Sequence, residues 1–274
     1  MLDLIKSDFK RILKDKLMLV VSIIAAAFAI AAPLLYKAIF LMVGMEEDLG
    51  ILAEMGVAPT AKSTYFSAFM PGDNMGLIAP ILISIILCKD FSHGTVRNKI
   101  IAGRKRWQVF LSSFIACATV LCALMLVYAI LTLLISLLVF EYQYEPFTVK
   151  DFWYLLASTG MKILAFVFIA ALICFLSVFM KNAGLTIVSY VAVVFLFVIV
   201  GSVMQVAGMM LDPTETAYSV LEFLCNTNIF IASFIGSGTS YSALELACGI
   251  AVPLLWSALL LGLGLLVFKK KDIK

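Results

Sequence analysis

Long apolar runs separated by short charged clusters leave this chain few folds to choose from. The runs cover residues 17–40, 74–88, 109–140, 154–180, 183–204 and 243–268. A helix needs about 20 apolar residues to cross a bilayer core of about 30 Å, and the six runs are read as six crossings. Hydrophobic residues make up 64% of the 274 residues and charged ones 14%; a soluble domain has about 45–50% and about 25%. The expectation is an all-α integral membrane protein with six transmembrane helices, one domain over residues 1–274 with no folded soluble part. The second run is the shortest, and Asp73 or Asn74 is placed to cap its start. The third exceeds one crossing and must tilt or project. Pro33, Pro80 and Pro253 can kink their helices.

Charge orients the chain. Of the 20 Lys and Arg residues, all but Lys37, Lys62, Lys150 and Lys162 fall in the N-terminal segment, the 89–106 loop, the turn at Lys181 or the C-terminal tail. Most acidic residues lie in the other intervals. The positive-inside rule then puts both termini in the cytosol, in the plasma membrane of what reads as a bacterial cell. The net charge of +3 follows from this bias and calls for no nucleic-acid partner. Ala29-Ile30-Ala31 resembles a signal-peptidase site, but an amphipathic stretch precedes the first run, and we read that run as a retained span.

That stretch, residues 1–16, reads as a cytosolic interfacial helix. Leu2, Ile5, Phe9, Ile12, Leu13 and Leu17 recur at helical spacing, with Lys6, Ser7, Lys10, Arg11 and Lys14 opposite, suiting anionic lipid headgroups. The interval 41–73 is acidic early and rich in Pro and Gly late. The interval 141–153 carries Tyr142, Tyr144, Phe147, Phe152 and Trp153, an aromatic belt. In 205–242, Asp212-Pro213-Thr214-Glu215 starts a helix. The apolar stretches after it suit short re-entrant helices before the last span, either an outer gate or an extracellular cap.

Much chemistry is excluded. The single histidine, His93, rules out HExxH and any multi-histidine metal site within one chain. No GxxxxGK[ST] phosphate loop, paired-carboxylate protease motif or GxSxG elbow is present, so the chain is not read as an enzyme. Five of the six cysteines (Cys88, Cys117, Cys122, Cys174, Cys248) lie in or beside apolar runs, no CxxC occurs, and all are read as packing residues, with Cys225 outside the spans. Gly262 and Gly264 suggest close helix packing. Lys162 and Glu245 are the candidates for a pathway or gate, because intramembrane charge marks function. Lys162 lies near the outer third of its span, where its stem could carry the ammonium to the interface.

The 89–106 loop is the largest polar segment on the basic side. Lys89 and Asp90 leave the second span, and Thr95 can cap a short helix. Val96, Ile100 and Ile101 recur at helical spacing beside Arg97, Asn98 and Lys99, and Gly103 closes the turn. Arg104, Lys105, Arg106 and Trp107 mark re-entry at the headgroups. Such a helix either fits a groove on a soluble protein or is a solvated basic loop serving topology alone.

The run Phe91-Ser92-His93-Gly94-Thr95-Val96-Arg97-Asn98-Lys99-Ile100-Ile101-Ala102-Gly103, followed by Arg106, resembles the coupling-loop signature of ABC-2 type transporter permeases. The layout is similar over the whole chain. The resemblance implies an ABC-2 (type V exporter-like) permease that dimerises with itself or a related permease. It would bind two separately encoded ATP-hydrolysing subunits, which carry the ATP and Mg²⁺; this chain holds no cofactor. Gly94, Thr95, Val96, Arg97, Asn98, Ile100, Ile101, Gly103 and Arg104 would seat in the ATPase and drive efflux of an amphipathic or hydrophobic peptide or drug-like substrate. An ion-coupled secondary transporter and a non-transporting accessory protein are the other classes this layout allows.

Overall fold

The computed structural model describes residues 1–43, 61–72, 74–92, 94–140, 148–212, 216–230 and 242–270, and its regular elements are all helices. In chain order they are α1 (Leu2–Lys14), α2 (Lys16–Val43), α3 (Ala61–Ala68), α4 (Asn74–Ser92) and α5 (Thr95–Ile101), then α6 (Arg106–Val139), α7 (Val149–Met180), α8 (Ala183–Met209), α9 (Thr216–Thr227) and α10 (Ala243–Lys270). Six of them are long and apolar enough to cross a membrane: Lys16–Ile39, Asn74–Phe91, Arg106–Val139, Phe152–Met180, Ala183–Met209 and Ala243–Lys270. The expected spans are these within a few residues. The chain thus has the make-up of a multi-pass membrane protein. Asp73, His93, Pro213, Glu215 and the aromatic residues Tyr142, Tyr144 and Phe147 lie outside the described residues, as does most of the second expected re-entrant stretch.

The most buried span, α7, packs against α4, α6, α8 and α10, while α8 and α10 are the least buried. Small residues on α7 (Ala165, Ala170, Ala171) bring neighbouring backbones close. On α10, a Cβ at Gly249 would lie 2.5 Å from Met161 Sδ, and one at Gly264 would lie 2.6 Å from Phe110 Cζ. Close packing therefore holds for Gly264 but not for Gly262, which has open space where a Cβ would point. Gly76 is the strictest case: a Cβ there would sit 1.9 Å from the Met70 carbonyl oxygen, a backbone atom that cannot swing aside. At this same turn Asn74 begins α4 with a positive φ of 40°.

Three cations outside the main basic clusters, or at their edge, bind helix C-termini. The last carbonyls of a helix have no partner within it and form the negative end of its dipole. Lys37 Nζ donates to Val139 O at the end of α6, 3.1 Å away. Lys162 Nζ donates to Phe66 O at the end of α3 at 2.7 Å. Arg106 donates to Lys269 O at 2.9 Å at the end of α10. Lys37 and Lys162 are two of the four basic residues that the charge bias left unexplained.

After α9 the chain turns inward onto α8. Asn228 Nδ2 donates to Phe197 O at 2.8 Å, and the Phe230 amide donates to Asn228 Oδ1 at 3.1 Å. Phe197 is fourteen residues into α8, about 21 Å along its axis. Asn228, Ile229 and Phe230 are buried there.

Candidate functional site

At one end of the bundle α1, α5, the C-terminal end of α4 and the N-terminal end of α6 meet. This basic end is organised by a carboxylate that periodicity alone passed over. Asp8 lies on the face of α1 that carries Leu4 and Ile12, one turn from each, and all three are buried. Its carboxylate accepts hydrogen bonds from Lys99 Nζ on α5 and from Ser112 Oγ on α6. Arg11, three residues on, ion-pairs with Asp8 at 3.6 Å and with Asp90 on α4. Asp15, between α1 and α2, accepts from Lys89 Nζ at 3.1 Å and from the Leu17 amide at 2.9 Å.

The consequence is a rotation of α1 relative to the sequence expectation. Arg11, assigned to the solvent face, points into the protein. Leu2 and Leu13, assigned to the apolar side, are exposed. The helix has a protein face (Leu4, Asp8, Arg11, Ile12), an apolar flank (Leu2, Phe9, Leu13) and an exposed basic face (Lys6, Lys10, Lys14).

Burial sets the electrostatics. It pushes the Lys99 ammonium below its ordinary pKa, with Asp8 pulling the other way. It likewise lowers Arg11, against the opposing pull of Asp8 and Asp15. At Asp15 partial burial pushes upward, but the Leu17 amide and Lys89 outweigh it and hold the carboxyl below its usual range. In the Asp8–Lys99 pair the carboxylate is buried and the ammonium mostly so, while the Lys89–Asp15 pair is the more exposed of the two. Breaking a buried pair by removing one partner costs about 3–5 kcal/mol; an exposed pair is worth about 0–1 kcal/mol.

Helix α5 is fixed by its two ends. Gly94 precedes it with φ 69°, and Gly103 follows it with φ 84°, both in the left-handed region open to glycine at no steric cost. At the C-terminal end the Gly103 amide bonds Ile100 O at 3.0 Å and the Arg104 amide bonds Lys99 O at 3.2 Å, the paired closure of a Schellman motif. At the N-terminal end Gly94 is the cap and Thr95 the first helical residue, with no side-chain cap bond; this corrects the expected Thr95 cap. Val96 is buried, while Ile100 and Lys99 pack inward. Ile101, expected on the same apolar stripe, is instead 72% exposed. It shares the outer face with Arg97 and Asn98, and Gly103, Arg104 and Lys105 continue that face.

The other two candidates stand apart. Lys162 is fully buried, so the expected snorkelling does not occur. Eighteen residues separate it from Met180, about 27 Å along α7. Its ammonium is held by Phe66 O and sits 4.9 Å from the centroid of the Phe66 ring. Tyr65, next to Phe66, bonds Thr159 on α7 at 2.7 Å. Glu245 forms a reciprocal cap with Ser242: the Ser242 amide donates to its carboxylate at 2.7 Å, and the Glu245 amide donates to Ser242 Oγ at 3.2 Å. Among the described residues no cluster of three or more His, Cys, Asp or Glu could hold a metal ion.

A family profile described as "Protein of unknown function (DUF2705)" matches residues 59–274. The chain belongs to the DUF2705 family. The match takes in α3 through α10, and with them Asp90, α5, Ser112 and Lys162. No curated protein matches the chain. In this DUF2705 chain the residues that sequence reasoning missed are Asp8, Asp15 and Ser112. The available signal was the four-residue spacing of Leu4, Asp8 and Ile12, which puts a carboxylate in the middle of an apolar face.

Proposed function

We propose that this chain is the membrane-spanning permease subunit of an ATP-binding cassette exporter. It would couple ATP hydrolysis by a separate, cytosolic subunit to efflux of an amphipathic or hydrophobic substrate. The observation that carries the reading is α5. A short helix with a left-handed glycine at each end is held from beneath by Val96, Ile100 and the Lys99–Asp8 pair, and its outer face is exposed among the described residues. Arg97, Asn98 and Ile101 on that face give two polar contacts and one apolar anchor for a groove on a soluble partner. A push on α5 reaches α1 and α6 through Asp8, and α10 through Arg106. The basic end is then cytosolic, and the Asn228–Phe230 segment is a re-entrant element on the opposite side.

The test is co-purification of the tagged chain with P-loop ATPase subunits encoded beside its gene. Ile101→Asp and Arg97→Glu alter only the outer face, so both variants should fold and lose the ATPase. Equal recovery with these variants and the parent chain would remove α5 as the docking helix. No bound ATPase at all would overturn the reading in favour of an ion-coupled carrier or an accessory protein.

A further inference from the structure

An apolar slot lies on the flank of the bundle where α1, α2 and α6 meet. Its volume is about 230 Å³, above the ~150 Å³ of an apolar protein cavity that takes up benzene. The floor is buried and comes from Met18 and Ala25 of α2 and from Leu124 and Tyr128 of α6. The rim is open to the bundle surface: Leu13, Val127 and Leu131 are 48%, 56% and 37% exposed. Small side chains at Ala25 and Ala123 keep the slot from closing. The one serine in its wall, Ser22, donates its proton to Met18 O at 2.9 Å, which leaves little to hold water.

Two features say what fills it. The first is length. Along α6 the slot runs from Val120 to Leu131, about 16 Å at 1.5 Å per residue. That is half of a bilayer core of about 30 Å, the depth of one leaflet. The second is the charge at its α1 end. Phe9 and Leu13 of α1 form the mouth. Lys6 and Lys10 precede them by three residues each and are exposed, so each ammonium neighbours a slot-lining side chain on the helix surface. A leaflet-deep apolar slot with two cations at its headgroup end matches one molecule.

We propose that the slot is a binding site for an anionic phospholipid of the leaflet at the basic end. One acyl chain lies between α2 and α6, and the headgroup is held by Lys6 and Lys10. This site is independent of the exporter reading, since it uses neither α5 nor an ATPase.

The test is native mass spectrometry of the full chain released from nanodiscs of equal phosphatidylglycerol and phosphatidylcholine with matched acyl chains. The parent chain should retain a single phosphatidylglycerol, preferred about tenfold or more over phosphatidylcholine, given what each lysine near an anionic surface contributes. Ala123→Phe, which fills the slot, should lose the retained lipid. Lys6→Gln with Lys10→Gln should keep a lipid but lose the headgroup preference. Should Ala123→Phe fail to fold, Ala26→Leu fills the slot from the other wall. Equal retention in filled and parent chains, or no headgroup preference in the parent, would overturn the site. A lipid-free dimer that Ala123→Phe dissociates would also overturn it, by assigning the slot to a second copy of the chain.

Discussion

Asp8 and Lys99 are 91 residues apart in sequence, and their side chains pair in the protein interior, joining the first helix to the exposed helix α5. Lys99 is stranded without Asp8, whereas Asp8 keeps Arg11 and Ser112 without Lys99. Lys99→Met leaves a buried carboxylate with Ser112 and Arg11 alone, and Asp8→Leu leaves a buried ammonium with no carboxylate. We expect Asp8→Leu to cost about 3–5 kcal/mol, Lys99→Met to cost less because Arg11 and Ser112 still hold the Asp8 carboxylate, and the double change to recover most of the Asp8→Leu loss. Thermal melting of the purified chain in detergent measures it. A double variant no better than the worse single one would show that the pair does not act as a unit.

Gly94 and Gly103 have open space where a Cβ would point, so substitution there costs backbone strain alone. Valine at either position should cost about 1–2 kcal/mol, and asparagine distinctly less. Amide exchange over Thr95–Ile101 is the readout: faster in the valine variants, close to parent in the asparagine ones. The opposite order would mean that the left-handed turns do not hold α5.

Among helical glycines the neighbouring atom decides the rank. Gly76→Ala meets a backbone carbonyl and should fail to fold or lose several kcal/mol. Gly249→Ala meets the flexible Met161 thioether and should lose less, since methionine adapts. Gly262→Ala meets nothing and should gain about 0.5–1 kcal/mol from helix propensity. Melting temperatures of the three variants test the order.

Lys162→Met should release α3. Phe66 O then has no donor, a loss of about 1–3 kcal/mol for an unsatisfied buried carbonyl. Exchange of the Phe69 and Met70 amides, which bond Tyr65 and Ser67 carbonyls at 3.2 Å each, should speed up while α10 is unaffected. Unchanged exchange would mean that α3 is held by its aromatic packing, Phe69 on Phe166 at 5.6 Å.

Asp15 sets a pH window for the α1–α2 junction. Its pKa is depressed in the folded chain, so its contribution to stability is full above the ordinary carboxylate range. That contribution is lost only as pH falls through the lower folded value. After correction for the intrinsic pH dependence of exchange, protection of the Leu17 amide, which bonds Asp15 Oδ1, should be flat from pH 8 to 5. Asp15→Asn should lower it across that whole range. A step near pH 6 in the parent chain would contradict this sign.

Sequence alone determined the six apolar helices, because a run of about 20 predominantly apolar residues is constrained by the bilayer whatever its neighbours do. The helix breaks at Gly94 and Gly103 were legible for a similar reason: glycine's conformational freedom is a local property. What each charge does was not legible. Asp8, Arg11, Lys99 and Lys162 look like solvated or snorkelling groups in a one-dimensional pattern. A buried charge needs a partner, and these find theirs far along the chain or on another element: Asp8 on α5 and α6, Arg11 on α4, Lys162 on the carbonyl end of α3. Only the tertiary structure brings those partners within a few ångströms. It also turned Ile101 outward, since the Lys99–Asp8 pair fixes which side of α5 faces the bundle.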